Sequence, residues 1–368
     1  MLEKEMSMSK LKPLLEWADG SAIENADEWR MRAREYKALI EECMLGSAPC
    51  DHNVRGDVVS RKKLQDGRAI YEIVDIHYGP ELKYSFHAHI LRPAREGRFP
   101  VITFNMFTNG YGCPAAEEAI ERGYVVAMFD KEQLFHDEWT HRTDAKDAYP
   151  GYTWGAIRIW AWGHSKLLDF LETQDYADTA RAVVTGHSRG GKAALTAGVF
   201  DERFAIVAPI NSGCGGAGCF RVLGDRHGEN GDAKLEESLG RIASVFPHWW
   251  REGFAKYGNE VPPHGITREH TLPFDLDAFK ALVAPRALFT LEGMDDTWSN
   301  PYGSYITWHT AQPVFDIMGA PENNCALFRE GGHKFDHDDW VSLMDYCDYY
   351  FFGKGKPYWN NGDKAWAR

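Results

Sequence analysis

A serine flanked by small residues stands in the segment Val184-Thr185-Gly186-His187-Ser188-Arg189-Gly190-Gly191-Lys192. Its centre, Gly186-His187-Ser188-Arg189-Gly190, fits G-x-S-x-G, the pattern of a nucleophile elbow. A bare match of this kind also arises in glycine-rich turns of no chemical use. Two neighbours favour the elbow. The apolar run Ala182 to Thr185 reads as a strand, and Lys192-Ala193-Ala194-Leu195-Thr196-Ala197 opens a helix. Small residues permit the sharp turn that exposes the serine hydroxyl, and the helix N-terminus adds positive potential where an oxyanion develops.

A nucleophilic serine needs a base, and the base needs an orienting acid. In chains built around such an elbow the order is nucleophile, acid, histidine. Downstream of Ser188, the apolar run Ala326-Leu327-Phe328 is followed by Gly332-His333. His333 is the expected base, with His337 the near competitor among 15 histidines. The acid is expected after the strand-like run Ala287 to Leu291, in Glu292-Gly293-Met294-Asp295-Asp296-Thr297-Trp298. Asp296 suits the position better, and Asp295 is the alternative.

Other constellations carry less. His87 and His89 alternate on a strand and face one way, and His333 and His337 lie near Asp336 and Asp338. Each set lacks a third ligand of suitable spacing, so neither a metal nor another cofactor is expected. No glycine-rich phosphate loop is present. Phe246 with His248-Trp249-Trp250 reads equally as a carbohydrate-stacking wall or as local core.

The elements that must position these residues alternate. From residue 100 onward, short apolar runs alternate with helical segments, including a long helix from Thr153 to Glu172. This grammar predicts an α/β-hydrolase fold: a mostly parallel central sheet with helices on both faces, in three layers. The whole chain, 1–368, reads as one such domain. It carries an N-terminal helical and hairpin extension over 1–95, with a hairpin predicted from Ile70 to Leu91. Residues 211–275, rich in Gly, aromatic and charged residues, read as a cap-like insertion over the carboxyl ends of the strands, where such sheets bind ligands.

Composition sets outer bounds. A net charge of −13 speaks against nucleic acid as a partner, because phosphates would be repelled. No run of about 18 apolar residues suggests a membrane span. The charged start Met1-Leu2-Glu3-Lys4-Glu5-Met6 lacks the apolar core of a secretory leader, so a cytoplasmic location is expected unless a leader has been trimmed. Seven scattered cysteines without a CxxC pair read as reduced thiols.

Beyond the elbow, several blocks resemble one family. Trp160-Ala161-Trp162-Gly163 precedes the elbow; Ser212-Gly213-Cys214-Gly215-Gly216, Leu272-Pro273-Phe274-Asp275, Ala281-Leu282-Val283-Ala284-Pro285-Arg286 and Gly332-His333 follow it. In this order they resemble the glucuronoyl esterases of carbohydrate esterase family 15, α/β hydrolases that cleave esters of 4-O-methyl-glucuronic acid. The resemblance is dense from Trp154 to His333. It implies that Arg189 stabilises the oxyanion with its side chain, that Lys192 contacts sugar hydroxyls or the uronate, and that Trp298 lines the sugar site. There are departures. Asn211 stands where fungal members have the catalytic glutamate, which moves the acid to Asp296 or Asp295. His187 stands where they have a bridged cysteine. The glutamate that contacts the sugar has no counterpart near residues 245–249.

The expectation is therefore a serine esterase acting on a small-molecule or oligosaccharide ester, by acyl transfer from Ser188 to water. An acetyl or other small-acyl carbohydrate esterase is one alternative. A degenerate hydrolase fold that only binds carbohydrate is the other.

Overall fold

The structure is a computed structural model that describes residues 2–106, 113–138, 144–223, 237–258, 260–261 and 266–367. Its strands are β1 (Arg55–Leu64), β2 (Ala69–Tyr78), β3 (Tyr84–Pro93), β4 (Phe99–Met106), β5 (Val125–Asp130), β6 (Ala177–His187), β7 (Phe204–Ile210), the short ribbon β8 (Glu260–Val261) and β9 (Ile266–Thr267), β10 (Ala287–Gly293) and β11 (Asn324–Arg329). Nine of them form one sheet in the order β1-β2-β3-β5-β4-β6-β7-β10-β11. The β1–β2, β2–β3 and β3–β5 pairs are antiparallel; every pair from β5 to β11 is parallel. The predicted hairpin is β2–β3, so the N-terminal extension supplies strands to the main sheet. The charged, exposed β1 was not foreseen.

The central strands are mainly apolar where both of their faces are covered. Neighbouring residues point to opposite faces. Val101, Val125, Val184 and Val207 pack with Ile157, Trp160 and Leu195 of the helices Ala156–Leu171 and Arg189–Phe200. Ile102, Val126, Val183 and Ile206 pack on the other face with Trp340 and Leu343 of the helix His337–Phe352. Each buried Val or Ile contributes roughly 1.5–3 kcal/mol, so this double core fixes where the strands end.

Several blocks that suggested a family serve the scaffold. Gly163 lies where a Cβ would come within 2.7 Å of the Phe129 ring. Arg286 donates to the carbonyls of Gly198 and Phe204, tying the end of the helix Arg189–Phe200 to the start of β7. Asp275 caps the helix Leu276–Ala281 and accepts from the N–H groups of Phe220 and Arg221. Of the segment 211–275 that reads as an insertion, residues 224–236, 259 and 262–265 lie outside the described residues. All seven cysteines are unpaired, and Cys50 is the exposed one. No helix among the described residues is long and apolar enough to cross a membrane.

Candidate active site

Three loops at the carboxyl ends of the parallel strands bring the candidate residues together. Ser188 follows β6, Asp295 and Asp296 follow β10, and His333 follows β11. Ser188 has φ 57° and ψ −126°, the strained geometry of an elbow. Its N–H donates to Ile210 O, and its carbonyl accepts from Gly191 and Lys192 at the start of the helix. The turn is so tight that a Cβ on Gly186 would stand 2.2 Å from Gly190 O. This is why small residues flank the serine.

His333 Nδ1 lies 2.5 Å from Asp296 Oδ2. Burial alone would raise the Asp296 carboxyl, but hydrogen bonds from His333 and Ser299 outweigh it and hold the group below the usual carboxylate range. Asp295 is exposed and takes a different part: its Oδ2 accepts from Gly331 N, and its own N–H donates to Gly331 O. It pins the histidine loop. His337 sits on Glu118 at the surface, away from this group. The His333 ring also packs against His187, with centroids 4.4 Å apart. Burial lowers the His187 pKa to about 3, so this neighbour stays neutral.

Two residues of the group take parts that were not anticipated. Ser299 Oγ lies 2.5 Å from Asp296 Oδ2 and 3.1 Å from His333 Nδ1, so it buttresses the acid. Asn211, at φ 43°, accepts from Gly293 N at 2.6 Å and donates to Lys334 O at 2.7 Å. One amide thus staples the ends of β7 and β10 to the histidine loop. Its left-handed backbone suits Asn, but nothing in the sequence marks the staple.

Arg189 begins the helix after the serine. Its Nη1 donates to Asp137 Oδ2 at 2.5 Å, and its guanidinium lies 5.1 Å from the Trp249 ring and 5.2 Å from the Phe246 ring. Lys192 is 2% exposed and donates to Ser212 O at 2.6 Å and to Glu237 Oε2 at 2.8 Å. No glutamate stands at 245–249; the one that the fold sets against Lys192 is Glu237, from upstream. Burial raises the Glu237 carboxyl, with Lys192 opposing. Trp298 is half-buried, faces Arg241 at 5.0 Å, and accepts from Glu237 N through its carbonyl. Trp249 and Trp250 are 2% and 4% exposed, so they are core of the insertion and not an open stacking wall. Among the described residues no group of His, Cys, Asp and Glu could hold a metal ion, and His87 and His89 instead contact Asp75 and Tyr71.

The model of the fungal glucuronyl esterase family matches residues 77–319. This chain belongs to the glucuronoyl esterase family. It is 31% identical to a 4-O-methyl-glucuronoyl methylesterase of Phanerochaete carnosa over 91% of this chain and 79% of that one. A counterpart of the same name from Schizophyllum commune is 28% identical over 92% and 80%. Among solved structures, a carbohydrate esterase family 15 glucuronoyl esterase from Caldicellulosiruptor kristjansonii superposes with a TM-score of 0.77 at 29% identity, covering 94% of this chain and 91% of that one. A glucuronoyl esterase from Solibacter usitatus gives 0.78 at 26% identity, over 92% and 97%. The α/β-hydrolase fold, and an enzyme of the serine carboxylic ester hydrolase class acting on carbohydrate uronic acid esters, follow from membership of this glucuronoyl esterase family.

Proposed function

We propose that this glucuronoyl esterase homologue cleaves the ester between a carbohydrate-borne glucuronic acid and an alcohol, with Ser188, His333 and Asp296 as its triad. The observation that carries the reading is the 2.5 Å contact of Asp296 with His333 Nδ1, beside a serine in a strained elbow. Ser188 Oγ attacks the ester carbonyl as its proton passes to His333. Asp296 holds the imidazole and stabilises its charged form. The Arg189 side chain and its backbone N–H stabilise the oxyanion. The alcohol leaves with the proton from His333. Water, deprotonated by the same histidine, then releases the uronic acid and restores the serine.

The buried Lys192–Glu237 pair offers a cation and an acceptor, which suits the hydroxyls and carboxylate derivative of a uronate. Trp298 supplies the adjoining wall. A cytoplasmic location is part of the same reading; seven unpaired cysteines support it. The test compares turnover of benzyl or methyl glucuronate with turnover of acetylated sugars. Uronate esters are expected to turn over faster by at least tenfold, and Ser188→Ala to abolish both turnover and labelling by a fluorophosphonate. Good turnover of acetates beside none of uronate esters would sink the reading.

A further inference from the structure

Asp137 gathers four donors although it lies outside every motif of the site. Its side chain is 8% exposed. Oδ2 takes Arg189 Nη1 at 2.5 Å and Lys131 Nζ at 3.3 Å. Oδ1 takes Trp249 Nε1 at 2.7 Å and His248 Nε2 at 3.1 Å. Lys131 is itself 1% exposed and rests on the Trp160 ring at 4.2 Å. The carboxylate therefore joins three parts of the chain: the turn after β5, the catalytic elbow and the insertion. Burial alone would raise its pKa, but His248, Lys131, Arg189 and Trp249 together hold it well below the usual range.

Arg189 has its Nη1 committed to this carboxylate, while its buried Nε has no partner among the described residues. A buried N–H without an acceptor is costly to the fold. Such a donor, on a guanidinium held by an ion pair, is free to take an acceptor that arrives with substrate. We propose that Asp137 is the positioning residue that locks the Arg189 guanidinium in its oxyanion-binding orientation and couples that orientation to the stacked Phe246 and Trp249 rings. The inference rests on the oxyanion role of Arg189 given above.

The test uses the full chain with benzyl glucuronate, comparing Asp137→Asn, Arg189→Ala and the double variant. Removing an oxyanion donor costs about 10²–10³ in kcat, so Arg189→Ala should fall in that range. Asp137→Asn should lower kcat by tenfold or more with KM within threefold. The double variant should be no slower than Arg189→Ala, because the carboxylate acts only through the arginine. Wild-type kcat in Asp137→Asn beside a crippled Arg189→Ala overturns the positioning role and leaves the oxyanion reading standing. Full activity in Arg189→Ala overturns that reading and this inference with it. Additive losses also overturn the inference. Should Asp137→Asn fail to fold, NMR of the wild-type protein decides. Separate, slowly rotating Nη signals for Arg189 support a locked guanidinium, and one averaged signal overturns it.

Discussion

At the residue scale, two adjacent aspartates divide two tasks. Asp296 meets the histidine nitrogen, and Asp295 holds the loop that carries the histidine. Asp296→Asn should keep the shape but lose the charge that favours the imidazolium, and should lower kcat by about 10³–10⁴. Asp295→Asn should cost less than tenfold. Steady-state kinetics with active-site titration checks both, and equal losses would mean that the acid has been misassigned. Ser299 belongs to the same unit. Ser299→Ala strips one donor from the acid, so a smaller fall in kcat is expected than from Asp296→Asn, with KM unchanged.

At the element scale, the site depends on strand ends meeting in register. Asn211 is the staple: Asn211→Ala leaves Gly293 N and Lys334 O without that partner, which should cost about 1–3 kcal/mol. Urea unfolding measures it, and unchanged stability would show that the three ends hold without the amide. Gly186→Ala should be worse than any of these, because a Cβ there would press on Gly190 O and no side-chain rotation relieves a backbone collision. The same contrast explains what the sequence disclosed. The elbow, the two strands preceding the acid and histidine loops, and the central sheet were legible because small residues and apolar runs are local signals. Glu237, Ser299 and Asp137 were not. Glu237 and Asp137 reach the site by folding over tens of residues; Ser299 stands three residues after Asp296, but an isolated Glu, Ser or Asp in a chain has nothing to distinguish it. The charged β1 was missed because its residues are mostly exposed, so burial leaves no alternation to read.

At the scale of the whole molecule, two buried histidines shape the response to acid. His164, in the middle of the helix Ala156–Leu171, and His187 are both lowered to about 3 by burial. An unfolded histidine titrates at about 6.5. Above that pH neither state is protonated and the two groups impose no penalty. As pH falls below it, the unfolded chain takes up protons that the folded chain refuses, so stability declines by about 1.4 kcal/mol per pH unit for each group, and the decline ends near 3. Urea midpoints measured between pH 7 and pH 5 should drop accordingly. His164→Gln should remove about half of the histidine-dependent slope; an unaltered slope would place the proton uptake elsewhere.

The unpaired cysteines have a practical corollary for conjugation chemistry. Burial pushes the Cys113 thiol up to about 12 and Cys325 to about 11, and raises Cys214, Cys219 and Cys347 as well. A buried thiol that resists ionisation is a poor nucleophile. Cys50 is exposed, at the mouth of a cleft with Asp51, His52 and Arg158, while Cys43 is only half-buried. The native enzyme should accept one equivalent of a maleimide rapidly at neutral pH, with Cys43 following slowly, and Cys50→Ser should abolish the fast phase. A dye or a solid support can therefore be attached at one defined point without engineering the chain.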